Sequence, residues 1–168
     1  FQKIKLRQRV AVDMSNRTLE TKMVGQKVSM PVALAPTGLT GMQHADGEIL
    51  AAQAAEEFGI PFTLSTMSVC SIEAVAEKTK KSFWFQLYMM RDRKFMERLI
   101  DRAKAAKCSA LVLTLDLQIL GQRHKDVRNV LSTPPKFTPN HLYTVLTRHG
   151  WCLKMLGTQN HFVVYIVG

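Results

Sequence analysis

Phe83-Trp84-Phe85-Gln86-Leu87-Tyr88 and Ala110-Leu111-Val112-Leu113-Thr114-Leu115-Asp116 are the two stretches whose reading decides the fold. Each is a strand-like apolar run with polar groups at its C-terminal end: Gln86 and Tyr88 in the first, Thr114 and Asp116 in the second, with Gly121-Gln122-Arg123 following. A buried strand has no packing reason to carry such groups there, whereas in parallel βα architectures that end is where ligands bind. The pattern points to part of a cofactor-binding enzyme.

Working outward, two earlier apolar runs repeat the arrangement. Pro31 to Ala35 ends in Pro36-Thr37-Gly38, and Ile60 to Leu64 is closed by Ser65-Thr66. Between the runs lie helix signals. Asp46 to Phe58 is alanine-rich and stops at Gly59. Ser71 caps a helix through Lys78, and Asp92 caps one running to about Lys107 with Phe95, Leu99, Ile100 and Ala103 on one face. Continuous apolar strands alternating with amphipathic helices predict a parallel α/β sheet with right-handed crossovers. The four units predict a partial (βα)8 TIM barrel. A complete barrel takes about 250 residues, and this chain has 168. It begins at Phe1 rather than Met and stops at Gly168 after the apolar run Phe162 to Val167, so both ends are read as cut. Past the fourth strand, Pro134, Pro135 and Pro139 mark a loop, and His141 to Leu156 is read as one amphipathic helix.

Composition narrows the class. With 46% hydrophobic and 21% charged residues the chain is that of a globular protein, and no run approaches a membrane span. Three cysteines without Cys-x-x-Cys spacing argue against a disulfide framework or a zinc ribbon and fit a reducing cytoplasm. The net charge of +10 favours anionic partners without specifying them. Lys3, Lys5, Arg7 and Arg9 alternate with Ile4, Leu6 and Val10 at strand period, predicting one basic and one apolar face. No nucleic-acid-binding pattern accompanies the charge. Gly-x-Gly-x-x-Gly, Gly-Lys-Ser/Thr and Gly-x-Ser-x-Gly motifs are absent from the sequence, and His149-x-x-Cys152 is read as packing rather than a metal site.

The segments Ser29 to Gly38, Phe62 to Met67, Phe85-Gln86-Leu87-Tyr88, Leu113 to Asp116, Gly121-Gln122-Arg123 and Asp126 to Asn129 together resemble the FMN-dependent α-hydroxy-acid dehydrogenases and oxidases. Within that family they are similar to the bacterial L-lactate dehydrogenase (cytochrome) branch. The resemblance covers residues 1–135 closely and 136–168 loosely, as one incomplete FMN-binding domain spanning 1–168.

The resemblance implies FMN as cofactor and a small L-2-hydroxy acid as substrate, most closely L-lactate oxidised to pyruvate. It places Pro36, Thr37 and Gly38 beside the flavin ring and Ser65, Gln86 and Thr114 on its polar pyrimidine side. Tyr88 and Arg123 match substrate contacts, the guanidinium gripping the carboxylate in bidentate geometry. Asp116 matches the carboxylate that orients the family's catalytic histidine. That histidine, the flavin-contacting lysine, a second substrate arginine and the phosphate loops belong to later strands in the family. His124, His141, His149 and His161 do not stand in the histidine motif. Activity of this chain alone is therefore not expected. In relatives the electrons pass to an acceptor such as a quinone or cytochrome. A homo-oligomer and a peripheral contact with the cytoplasmic face of the inner membrane are compatible with the resemblance. The competing reading is a non-catalytic remnant or half-barrel that does not bind flavin productively.

Overall fold

The computed structural model describes residues 3–116, 121, 124–125 and 139–158. It opens with a hairpin absent from the sequence reading, β1 (Thr21–Met23) paired antiparallel with β2 (Gln26–Val28). Its turn residues, Val24 at φ 48° and Gly25 at φ 80°, are both left-handed, as a two-residue turn that follows strand twist requires.

The central sheet is parallel, in the order β3 (Thr63–Leu64), β4 (Trp84–Tyr88), β5 (Ala110–Thr114). Thr63 lies opposite Trp84, and Tyr88 lies opposite Thr114. The first expected strand is much reduced. Leu34 makes a single parallel bridge to Phe62, its N–H donating to Pro61 O (2.9 Å) while Thr63 N donates to Leu34 O (3.1 Å). The run is not buried either, since Pro31, Val32 and Ala35 are exposed. Prolines at 31, 36 and 61 supply no N–H, so the ladder here cannot extend beyond that bridge, and β3 begins only at Thr63.

Helices α1 (Thr40–Gln43), α2 (Gly47–Phe58), α3 (Ile72–Lys78) and α4 (Arg93–Ala105) follow the strands. Two start where the sequence signals them: Ser71 accepts from Ala74 N and Asp92 from Phe95 N. Gly59 ends α2 at φ 80°. The helices cover the odd-numbered face of β4. Phe83, Phe85 and Leu87 are buried there with Leu64 against Ile49, Ala52 and Ala55 of α2, Ile72 and Val75 of α3, and Leu99 and Ala103 of α4. Burial of this apolar surface is the main favourable term in the fold. On β5, Leu111 and Leu113 remain 48% and 45% exposed.

Two further expectations are corrected. The segment 141–156 is not one helix but two, α5 (Pro139–Thr147) and α6 (His149–Gly157), broken at Arg148 (φ −104°, ψ 58°). Arg148 N closes α5 on Val145 O, and the Arg148 carbonyl then accepts from Trp151 N and Cys152 N in the first turn of α6. The indole of Trp151 donates to Met42 O (2.9 Å), pinning α6 to α1. Residues 3–20 form no strand, and Ile4 and Leu6 are exposed. Alternation creates two faces only where a neighbouring strand pairs, and no described residue pairs with this segment.

At the N-terminal end of β4 the hairpin closes over the sheet, with Trp84 Nε1 donating to Gln26 Oε1 and Gln26 Nε2 to Ser82 Oγ, both at 3.2 Å. The opposite end, where β3, β4 and β5 finish, is left to polar side chains.

The α3–α4 contact carries a two-point ion pair, Arg102 Nε and Nη2 donating to Glu73 Oε1 (2.7 Å) and Oε2 (2.6 Å). The guanidinium hydrogen bonds hold the Glu73 carboxyl below its ordinary range. Its stabilisation is therefore present above the unfolded carboxyl pKa and is lost as pH falls through the lower folded value. Both partners are over a third exposed, so solvent screening limits the pair to about 1 kcal/mol or less. Urea titrations should show Glu73→Gln less stable than the parent by that amount at pH 7, with the difference closing as the buffer is acidified below about pH 4.

Candidate functional site

The polar end of the sheet is organised by Gln86, which is fully buried on the face of β4 away from the helices. Its Oε1 accepts from Ser65 Oγ (3.3 Å) and from Thr66 N (3.2 Å), and its Nε2 donates to Thr114 Oγ1 (2.9 Å). The Thr66 hydroxyl donates to the Gln86 carbonyl, and Ser65 Oγ accepts from Met67 N (3.1 Å). Ser65, Gln86 and Thr114 thus form one hydrogen-bonded row across the ends of three neighbouring strands.

The direction of the row follows from its donors. A main-chain N–H on Oε1 fixes the amide so that Nε2 faces Thr114. One Nε2 hydrogen is then used on Thr114, whose own hydroxyl hydrogen, at a half-buried position, is left as a donor for another group. A neutral donor on a neutral row suits a planar heterocycle with carbonyl oxygens and ring nitrogens better than a metal ion or a phosphate.

Beside the row runs the loop containing Pro36, Thr37 and Gly38, all exposed. Leu39 N donates to Met67 O (2.9 Å), tying this loop to the segment after β3. A Cβ on Gly38 would come within 3.2 Å of Met67 Cβ, so a side chain there would crowd the close approach of the two loops. Leu39 itself adopts φ 56°, a left-handed conformation that costs a branched residue energy and is kept because both flanks are tied.

Tyr88 ends β4, partly buried and opposite Thr114, and Asp116 is exposed two residues past the end of β5. Arg123 lies outside the described residues, as do Gln122 and 126–129. The structure therefore brings Ser65, Gln86 and Thr114 into direct contact. Tyr88, the Gly38 loop and Asp116 stand at the same sheet end without bonding to that row.

Two residues were missed by the sequence reading. Thr66 holds Gln86 through both its N–H and its hydroxyl, yet in sequence it is only the second residue of a Ser-Thr pair. Glu48 is 2% exposed, and its Oε1 accepts from Gly41 N and Val69 N, both at 3.0 Å. An acid in the first turn of a helix ordinarily faces solvent, so nothing in the sequence distinguishes this one. Burial, with the Glu48 carboxylate alongside, pushes the Cys70 thiol up to about 12, so Cys70 is an inert core residue.

Known proteins resemble the chain along most of its length. Residues 1–165 match the family model described as FMN-dependent dehydrogenase. An L-lactate dehydrogenase of Acinetobacter baumannii is 50% identical over 155 residues, covering 92% of this chain and 40% of that protein. The L-lactate dehydrogenase of Vibrio parahaemolyticus is 46% identical over 150 residues, covering 89% of this chain and 39% of its own. The chain thus spans about 40% of the length of these curated relatives. Among solved structures, the monotopic membrane protein (S)-mandelate dehydrogenase superposes with TM-score 0.82 at 30% identity over 98% of this chain and 44% of that one. A soluble mutant of the membrane-associated (S)-mandelate dehydrogenase from Pseudomonas putida gives TM-score 0.72 at 36% identity, covering 82% and 39%.

Removing the amide tests the row directly. Gln86→Leu leaves the Thr66 N–H and the Ser65 hydroxyl buried without an acceptor, and should cost about 1–3 kcal/mol of unfolding free energy in urea. Thr114→Val, which removes one acceptor at a partly exposed position, should cost less than half as much.

Proposed function

Because the chain belongs to the FMN-dependent dehydrogenase family, we propose that it is the N-terminal part of an FMN-binding (βα)8 barrel that oxidises an L-2-hydroxy acid, L-lactate to pyruvate. Residues 1–168 form one incomplete domain in this reading. The observation that carries it is the neutral, hydrogen-bonded Ser65–Gln86–Thr114 row at the C-terminal end of a parallel sheet. The residues fit the cofactor. Gln86 and Thr114 would meet its pyrimidine carbonyl and ring nitrogen edge, and Pro36, Thr37 and Gly38 would lie along the ring, where a side chain on Gly38 would crowd Met67.

When bound, FMN supplies the acceptor for the hydride equivalent leaving the substrate α-carbon. The Tyr88 hydroxyl binds and orients the hydroxy acid. Arg123 grips its carboxylate through two parallel N–H donors. A histidine base from the rest of the barrel takes the hydroxyl proton, and Asp116 holds that base in place and stabilises its protonated form. The electrons leave to an acceptor such as a quinone or cytochrome.

The same reading places the protein on the cytoplasmic face of the inner membrane, in peripheral contact. Among the described residues no helix is long and apolar enough to cross a membrane. Tyr143 and Leu146 of α5 and Leu153 and Leu156 of α6 are nevertheless exposed, close in sequence to Arg148 and Lys154. Apolar residues flanked by cations suit an anionic lipid surface. Cosedimentation with phosphatidylglycerol vesicles should be salt-sensitive and should weaken severalfold in a Leu153→Ser, Leu156→Ser double variant; binding that is unchanged by the substitutions would refute this contact.

The cofactor and substrate roles are tested in two steps. The 168-residue chain is mixed with FMN, and quenched flavin fluorescence that Gln86→Leu weakens is expected. A chain that leaves FMN unquenched favours a non-catalytic remnant. Joining the matching remainder of the Acinetobacter baumannii L-lactate dehydrogenase should then give lactate-dependent dye reduction. In that chain Arg123→Lys keeps the charge but loses the bidentate geometry, and kcat/KM should fall roughly 10- to 150-fold, about 1.5–3 kcal/mol, with flavin content intact. Unchanged turnover, or loss of flavin, would remove Arg123 from the substrate site.

A further inference from the structure

We propose that Glu48 is a positioning residue: its single buried carboxylate sets the gap between the Gly38 loop and the Ser65 segment, the two walls between which the cofactor is held. The proposal rests on the FMN reading above.

Glu48 is the second residue of α2, and its side chain does not serve its own helix. Oε1 accepts one N–H from Gly41 in α1, three residues beyond Gly38, and one from Val69, four residues beyond Ser65. One oxygen atom thus joins two residues, Gly41 and Val69, that are 28 positions apart in sequence. The segments are in contact at this point. A Cβ on Gly41 would lie 2.7 Å from Val69 Cβ and 2.8 Å from Glu48 Oε2. Glu48 Oε2 has no partner of hydrogen-bond geometry among the described residues.

A buried carboxylate is costly unless donors surround it, and hydrophobic packing would stabilise the same place more cheaply. What a carboxylate oxygen adds is a fixed distance, because both N–H groups must converge on one acceptor. The nearby tie from Leu39 N to Met67 O runs between the same two segments, so the loop and the segment are joined twice. Gly38, between strand end and ties, cannot shift relative to Ser65 unless one of the ties breaks.

A stabilising role alone would make the same bonds, so the experiment separates the two. Glu48→Gln, Glu48→Leu and Val75→Ala are made in the 168-residue chain; Val75 is buried in α3, and its apolar side chain makes no hydrogen bond to either loop. Flavin-free protein is followed by amide NMR, and FMN affinity by fluorescence quenching. In the parent, the Gly41 and Val69 amide protons should be displaced downfield and slow to exchange. Glu48→Leu should lose both signatures and bind FMN about tenfold or more weakly, while Glu48→Gln, which keeps one acceptor oxygen, should recover most of the affinity. Val75→Ala should lower stability and leave both readouts alone. If Glu48→Leu does not fold, Glu48→Gln decides the matter, since loss of the charge should move the same two amide resonances upfield and speed their exchange. The proposal is overturned if the two amides are unaffected in either Glu48 variant, or if Val75→Ala weakens FMN as much as Glu48→Leu. If no variant, the parent included, quenches FMN, the cofactor reading fails and the positioning role with it, while the amide measurements still show whether Glu48 joins the two segments.

Discussion

A glutamine amide buried at the end of a β-strand is the constraint on which the candidate site depends. Gln86 is fully buried, and a buried primary amide left unsatisfied would cost as much as a sizeable share of a domain's net stability. Its acceptor is saturated by Ser65 and Thr66, and one of its donors by Thr114. The register that pairs Leu64 with Phe85 and Tyr88 with Thr114 therefore has to hold, since it keeps Ser65 and Thr114 within reach of the one amide. The helix layer on the opposite face does the complementary task. Phe85 and Leu87 flank Gln86 in sequence and bury their side chains among α2, α3 and α4, which fixes where β4 sits. Apolar packing on one face thus positions polar chemistry on the other.

The division between legible and illegible features follows the range of the interactions involved. Ser71 and Asp92 could be read as caps because a cap bonds the backbone only three residues on. The alternation of apolar runs with helical segments likewise revealed the parallel α/β arrangement, and the polar strand ends marked Ser65, Gln86 and Thr114. Glu48 could not be read, since its partners at Gly41 and Val69 are set by tertiary packing. The segment at Pro31 to Ala35 misled for a local reason. Its hydrophobicity suggested a buried strand, but the flanking prolines cannot donate to a ladder, and only Leu34 is bridged. The break at Arg148 was hidden because the nearby glycine, Gly150, falls inside the first turn of α6 rather than at the break. It comes from the carbonyl that turns to cap α6, and the Trp151 indole then anchors that helix on Met42.

The family relationship and the physical reading support each other at different scales. Identity of 50% to an L-lactate dehydrogenase of Acinetobacter baumannii spans 92% of the chain, and the mandelate dehydrogenase fold superposes along nearly all of it. Those likenesses say which family the chain belongs to. They do not say how the amide of Gln86 is oriented, which follows only from its bonding partners.

The shared bonding of Ser65, Gln86 and Thr114 also bears on how this sequence can change over generations. A substitution at any one of the three alters what the other two must accept or donate, so tolerated replacements are ones that preserve the whole donor–acceptor order. Drift at these positions is therefore coupled.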